Sequence, residues 1–331
     1  MKVDKARAWT DAELARMERH IRAIYLQAQG ELTEKWNAYM RRGEDRLDTL
    51  YSAYMSAPAT EKASALQKYQ DAAQNYTLRN RWYQAMVDAT ALRLAYVNEI
   101  ALAYVNGKMP DIYIHNFNFI DPELGDIGID WTLIRDEHMI SNLVRESLPE
   151  KTVNVQKDMA WNRKQMNGAV LQGILQGESI PKIAKRLLPI VENNEAASVR
   201  NARTMVTGAE NKGRLDRYHE YEDEGVVMKK VWMSTPDGRT RAWHLDMDEQ
   251  EVDVDEMFID GHGNELEYPG DPGADPETVY NCRCTMRSHL IGIKDKHGKV
   301  VKFKDYRAQT RSLHQSQISA ERERRHGKGK G

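Results

Sequence analysis

Cysteine is nearly absent from this chain. Only Cys282 and Cys284 occur in 331 residues, with one residue between them. Two thiols do not make a disulfide framework, and bridging so short a loop would strain it. Both are expected to stay reduced. Long apolar runs are missing as well. The N-terminus, Met1 to Arg7, carries charge with no hydrophobic stretch behind it. Neither a secretory signal nor a bilayer-spanning segment is expected, so no membrane partner is expected and the chain is expected to start in the cytoplasm of the cell that makes it. One region also lacks positive charge. From His244 to Thr278 there are thirteen Asp or Glu and no Lys or Arg, whereas Ile291 to Gly331 holds twelve Lys or Arg against four Asp or Glu. An acidic belt followed by a basic tail points to an interaction module.

What is present is mostly helical pattern. Thr10 with Glu13 forms a capping-box spacing that predicts a helix from about Asp11. Leu14, Met17, Ile21, Tyr25, Ala28, Leu32, Trp36 and Met40 then recur three or four residues apart, and Leu47, Leu50, Tyr51 and Tyr54 extend the stripe beyond a break at Gly43. After a turn at Ala57–Thr60, a second long helix carries Leu66, Tyr69, Tyr96, Ile100 and Tyr104, and Asn106-Gly107-Lys108-Met109-Pro110 is expected to end it. The aromatic-rich stripe reads as core or as a docking face. Asp111 to Asp130 reads as an irregular connection with a turn at Leu124–Gly128. Helical spacing resumes at Trp131, Ile134, Met139, Leu143 and Leu148, and again over about 157–176. Ser179 is a suitable N-cap and Pro181 suits a first turn, so a short helix follows, then a longer one over about 195–221.

The pattern changes after Gly225. Val226 to Met233 reads as a strand and Thr235-Pro236-Asp237-Gly238 as a turn. Val252 to Phe258 suggests a short strand, Gly261 to Asn264 another turn, and Val279 to Arg287 a closing strand. Val300 to Phe303 is weakly strand-like, and the basic end beyond it is expected to be disordered. The expected class is α+β, mainly α. It comprises a long helical hairpin (1–110), a connecting helical segment (111–156), helices packed on a small antiparallel sheet (157–290) and a basic, partly disordered tail (291–331).

Several motifs in the third segment follow one another in order. Gly177-Glu178-Ser179 and Ile183-Ala184 precede Arg203-Thr204 and Asn211. Lys230-x-Trp232, Asp237-x-Arg239-Thr240-Arg241-x-x-His244 and Asn281-Cys282-Arg283-Cys284 come after. Together, over about 157–290, they resemble the phage Mu F-like head morphogenesis family. The resemblance implies a minor head (minor capsid) protein of a tailed phage, present in the virion at the portal vertex or capsid interior after assembly in the host cytoplasm. It implies portal protein and other capsid or scaffold subunits as partners, and roles in procapsid assembly, DNA packaging and DNA ejection. It marks Arg203, Trp232, Asp237, Arg239, His244, Asn281, Cys282 and Cys284 as motif residues. The same domain also occurs fused to toxin domains.

Read as chemistry, these residues leave alternatives open. On a strand, Cys282 and Cys284 would share one face. With His244 and His262 they are candidate ligands of a structural zinc, although zinc knuckles usually space their cysteines more widely, and buried packing is the alternative reading of two thiols. Asp246, Asp248 and Gln250 imitate a calcium loop, but Glu251 stands where its glycine is needed and Met257 where its closing glutamate is, so that site is rejected. Arg239, Arg241 and His244 are candidates for a nuclease-like acid–base group, set against a role in holding the following loop. The basic tail suits DNA or an acidic capsid surface through counterion release, or serves solubility alone.

Overall fold

The computed structural model describes residues 4–76, 81–120, 124, 133, 137–148, 150–176, 178, 180–294, 297–302, 316, 318–321, 323 and 324. The expected turn at 125–128, the periodic positions Trp131 and Ile134, the Ser179 cap, Phe303 and the basic end at 325–331 lie outside them. In order the elements are α1 (Lys5–Ser56), α2 (Lys62–Tyr76), α3 (Arg81–Phe117), α4 (Glu137–Ser147), α5 (Val155–Leu175), α6 (Ile180–Lys185) and α7 (Leu188–Asp223). There follow β1 (Val226–Met233), α8 (Ala242–Asp246), β2 (Glu251–Asp253), β3 (Phe258–Ile259), β4 (Glu265–Leu266), α9 (Pro276–Val279), β5 (Thr285–Lys294) and β6 (Val300–Lys302). The class is α+β and mainly α.

The chain forms two compact units, each built from separated segments. One comprises residues 18–104 and 151–199, the other 1–17, 105–150 and 200–331. The first is helical. Ile21, Tyr25, Ala28, Leu32 and Trp36 of α1 are buried at the expected spacing, with Val87, Ala91, Leu94 and Ala101 of α3 and Met166 and Val170 of α5. A polar network runs through this core. The Tyr25 hydroxyl donates to Asn98 (2.5 Å), and the Asn98 amide reaches Asp158 (2.6 Å) and Asn194 (2.9 Å).

Four local expectations are corrected. α1 begins one turn and more before Asp11, because Asp4 accepts the Arg7 N–H at 3.0 Å and caps it first. Thr10 and Glu13 lie inside the helix, where the Thr10 hydroxyl bonds the Ala6 carbonyl. Gly43 does not interrupt α1. α3 buries a face rotated from the expected one. Tyr96 and Ile100 are half exposed, because α3 carries apolar residues around its whole circumference and its small residues Ala91, Ala95 and Ala101 are the ones buried. α3 also continues through Gly107 and Pro110 to Phe117. Burial of Met109, Ile112, Tyr113 and Phe117 outweighs the lost N–H, a tertiary override of local propensity.

The second unit holds the sheet, ordered β2-β1-β5-β6 and antiparallel throughout, with a separate β3–β4 hairpin. β1 pairs with β5 along its full length, Trp232 opposite Met286, with an irregularity at Val227/Met228. Leu215, Tyr218 and Tyr221 of α7 pack with Met228, Trp232, Phe258, Leu266, Cys284 and Met286 in one core. The expected closing strand starts later than Val279. Residues 276–279 form α9, and β5 begins only at Thr285.

Candidate functional site

The end of α7 used by the second unit carries a buried polar stripe. Thr204, Thr207, Asn211 and Arg214 recur at helical spacing and are all buried. They fasten the segment that precedes β5. Thr204 accepts the Asn281 N–H (2.8 Å), and the Thr207 hydroxyl donates to the Cys282 carbonyl (2.7 Å). The Asn211 amide donates to the carbonyls of Pro269 (3.1 Å) and Cys284 (3.3 Å), and its oxygen accepts the Met286 N–H (3.1 Å). Arg214 donates to the Met286 carbonyl (3.2 Å) and pairs with Asp4 (2.8 Å) and Glu210 (3.2 Å). Motif reading singled out Thr204 and Asn211 but missed Thr207 and Arg214. The available signal was hydrophilic residues at i, i+3 and i+7 on a buried helix face.

The opposite wall is the loop from Ser234 to α8. Asp237 caps its own turn by accepting the N–H groups of Arg239 (2.9 Å) and Thr240 (3.2 Å). Its carboxylate also takes both terminal nitrogens of Arg283, one at 2.6 Å. That fork holds the Asp237 carboxyl well below the usual carboxylate range, chiefly through the Arg283 hydrogen bonds. The Thr235 hydroxyl donates to the Arg283 carbonyl (2.6 Å), and the Ser234 hydroxyl to the His244 carbonyl. The turn therefore delivers α8 with His244 pointing inward and buried.

The cysteines share one side, although not by strand alternation. Asp275 caps α9 with Pro276 in its first turn, and Asn281 then adopts φ +58°, the left-handed region. That turn brings both thiols to His244. Cys282 Sγ lies 3.6 Å and Cys284 Sγ 3.5 Å from His244 Nδ1. The Cys284 backbone N–H donates to Cys282 Sγ at 3.4 Å. Cys282, Cys284 and His244 are at most 2% exposed, and the imidazole stands edge-on to Trp232 with ring centroids 5.5 Å apart. The Cys284 hydrogen bond holds the Cys282 thiol below its ordinary range, while burial pushes the Cys284 thiol well above it.

The other predicted residues go elsewhere. His262 stacks on Trp243 with centroids 4.6 Å apart and does not join the thiols. Arg239 is largely exposed beside Asp237 (3.4 Å), Arg241 donates to the Tyr280 carbonyl, and Arg203 is half-buried on α7. Arg239, Arg241 and His244 thus take three different sets of partners. Several carboxylates of the acidic belt are engaged within the fold. Asp260 accepts the N–H groups of His262 (2.8 Å) and Asn264 (2.9 Å), and Asp271 those of Glu267 (3.1 Å) and Gly273 (2.7 Å). Glu249 pairs with Arg287 (2.6 Å) and Asp253 with Lys229 (3.3 Å).

The sequence profile of the Phage Mu protein F like protein family matches residues 164–287, the stretch that holds the fastening helix, the turn and the thiol–imidazole cluster. Among curated proteins, the NAD(+)–arginine ADP-ribosyltransferase EFV of Enterococcus faecalis is 28% identical over 229 residues, 62% of this chain and 46% of that protein. Minor head protein GP7 of Bacillus phage SPP1 is 30% identical over 147 residues, 42% of this chain and 47% of that one. The chain thus spans about half the length of the curated relatives it matches. No solved structure matches it. Residues 164–287 are thus similar to the Phage Mu protein F like family.

Proposed function

We propose that this chain is a phage minor head protein that acts in head morphogenesis. It sits in the virion at the portal vertex or capsid interior and assembles there from the host cytoplasm. The observation that carries this reading is the family match over 164–287, together with a relative named as a minor head protein. The geometry supports it, because the motif residues Thr204, Asn211, Asp237 and Arg283 are engaged in holding backbone and one another rather than in lining an open cleft. The helical unit contacts portal or other capsid subunits, and the basic tail, with its surplus of Lys and Arg, contacts packaged DNA. Particles assembled with and without the chain test this. Co-sedimentation of the chain with portal-containing procapsids, and defective heads in its absence, are the expected results; a chain that stays in the soluble fraction while heads form normally overturns it.

A second reading has an observation of its own, the relative named as an ADP-ribosyltransferase. A nuclease-like or toxin-associated effector using His244 with Arg239 and Arg241 needs these groups accessible. His244 is 1% exposed and faces two thiols, which favours the structural role. Incubation with labelled NAD+ and an arginine-containing acceptor, and separately with DNA and RNA, decides between them. Label transfer, or cleavage that His244→Ala abolishes, establishes the enzymatic reading.

A further inference from the structure

We infer that His244, Cys282 and Cys284 form a zinc site, with the fourth position taken by a small exogenous donor such as water. Three observations carry this. The first is distance. With zinc bonds of about 2.3 Å to sulfur and about 2.0–2.1 Å to nitrogen, tetrahedral angles set each sulfur–nitrogen edge at about 3.6 Å. The two edges in the structure are 3.6 Å and 3.5 Å. Both sulfur–nitrogen edges thus match those of a tetrahedral zinc, and all three donor atoms lie within 4.8 Å of one another.

The second is donor chemistry. With its proton on Nε2, His244 offers one lone pair at Nδ1 to two thiols, so both cannot donate to it as hydrogen-bond partners on equal terms. Two thiolates and a neutral imidazole converging on one point suit a borderline-soft d10 cation. Zinc binding releases both thiol protons to solvent and leaves the imidazole proton on Nε2. The Cys284 N–H directed at Cys282 Sγ (3.4 Å) stabilises a thiolate there, as a supporting hydrogen bond does around metal ligands. The third is construction. The Asn281 left-handed turn, the Thr207 bond to the Cys282 carbonyl and the Asn211 bond to the Cys284 carbonyl fix both cysteines from outside the cluster. Among the described residues no further His, Cys, Asp or Glu joins the group, which leaves the fourth position to the small exogenous donor proposed. This site is independent of the head-protein reading and stands or falls separately.

Elemental analysis of the full chain, purified without chelators or a histidine tag, is expected to find one zinc per chain. Chelation should then lower Tm and expose both thiols to a thiol reagent, and added Zn2+ should reverse both changes. Cobalt in place of zinc should give an intense thiolate-to-metal charge-transfer band. Cys282→Ser, Cys284→Ser and His244→Asn should each lose stoichiometric metal. Should those variants fail to fold, the wild-type chain still decides. Metal-free protein whose Tm and thiol reactivity ignore zinc, and which gives no cobalt charge-transfer band, overturns the assignment.

Discussion

Gly208 on α7 and Gly270 in the loop after β4 meet backbone to backbone. A Cβ on Gly208 would stand 2.9 Å from the Gly270 carbonyl oxygen, and one on Gly270 would stand 2.7 Å from the Gly208 nitrogen. Neither side of this contact has a flexible side chain that can yield. Gly270 also has φ +86°, which an L side chain adopts only under strain. Gly208→Ala is expected to cost about 1–3 kcal/mol through overpacking, and Gly270→Ala more. Because both crowd the same contact, the double variant should cost less than the sum. Urea unfolding of the two single variants and the double variant checks this; strict additivity counts against the contact.

The Asp237–Arg283 fork makes the module sensitive to acid. Its folded carboxyl titrates below the ordinary carboxylate range. The stabilisation is therefore complete above that range and is lost as pH falls through the folded value, where the carboxylate must take up a proton. Asp237→Asn should lower stability at neutral pH by about 1–2 kcal/mol and flatten the acid limb of the stability profile. An unchanged acid limb in the variant would show that the fork does not contribute.

Asn211 is the central fastener of the closing segment. Asn211→Ala strands two carbonyls and the Met286 N–H, and is expected to cost about 2–4 kcal/mol. Asn211→Asp keeps the acceptor but turns a carboxylate toward the Pro269 and Cys284 carbonyls. It should be no better than alanine. Chemical denaturation of both variants measures the order; an aspartate variant of wild-type stability would sink the donor role.

Lys230 is buried in β1, with its amine donating to the Glu267 carbonyl (2.9 Å) and lying 5.3 Å from the centre of the Phe258 ring. Burial lowers its pKa to about 8. Between about pH 8 and the ordinary lysine range, the unfolded chain therefore binds a proton that the folded chain does not. Stability from this group rises with pH across that window. Lys230→Met should remove the rise, which unfolding curves on either side of the window would reveal. A slope identical to wild type refutes the assignment.

Local chemistry was legible in the residue order wherever the deciding interactions were local. The spacing over 157–176 predicts α5, observed at Val155–Leu175, and the β-branched and apolar run before Ser234 predicts β1 with its observed bounds. Both depend on contacts within a turn or on alternation along a strand. Where long-range burial decides, the same reading fails. Pro110 does not end α3, because four large side chains around it are buried. α3 does not bury the expected face with Tyr96 and Ile100, because an all-round apolar helix leaves the choice to its neighbours. The cysteine pair illustrates both sides. Its chemistry and its partner His244 were readable from residue type, but the expected strand was wrong. A left-handed Asn281 and three polar side chains of α7, more than seventy positions earlier, set the thiols. His262, equally suitable by residue type, packs on Trp243 instead. Residue order specified which donors exist, and tertiary packing selected the three that meet, because convergence of side chains distant in the chain is encoded in no local pattern.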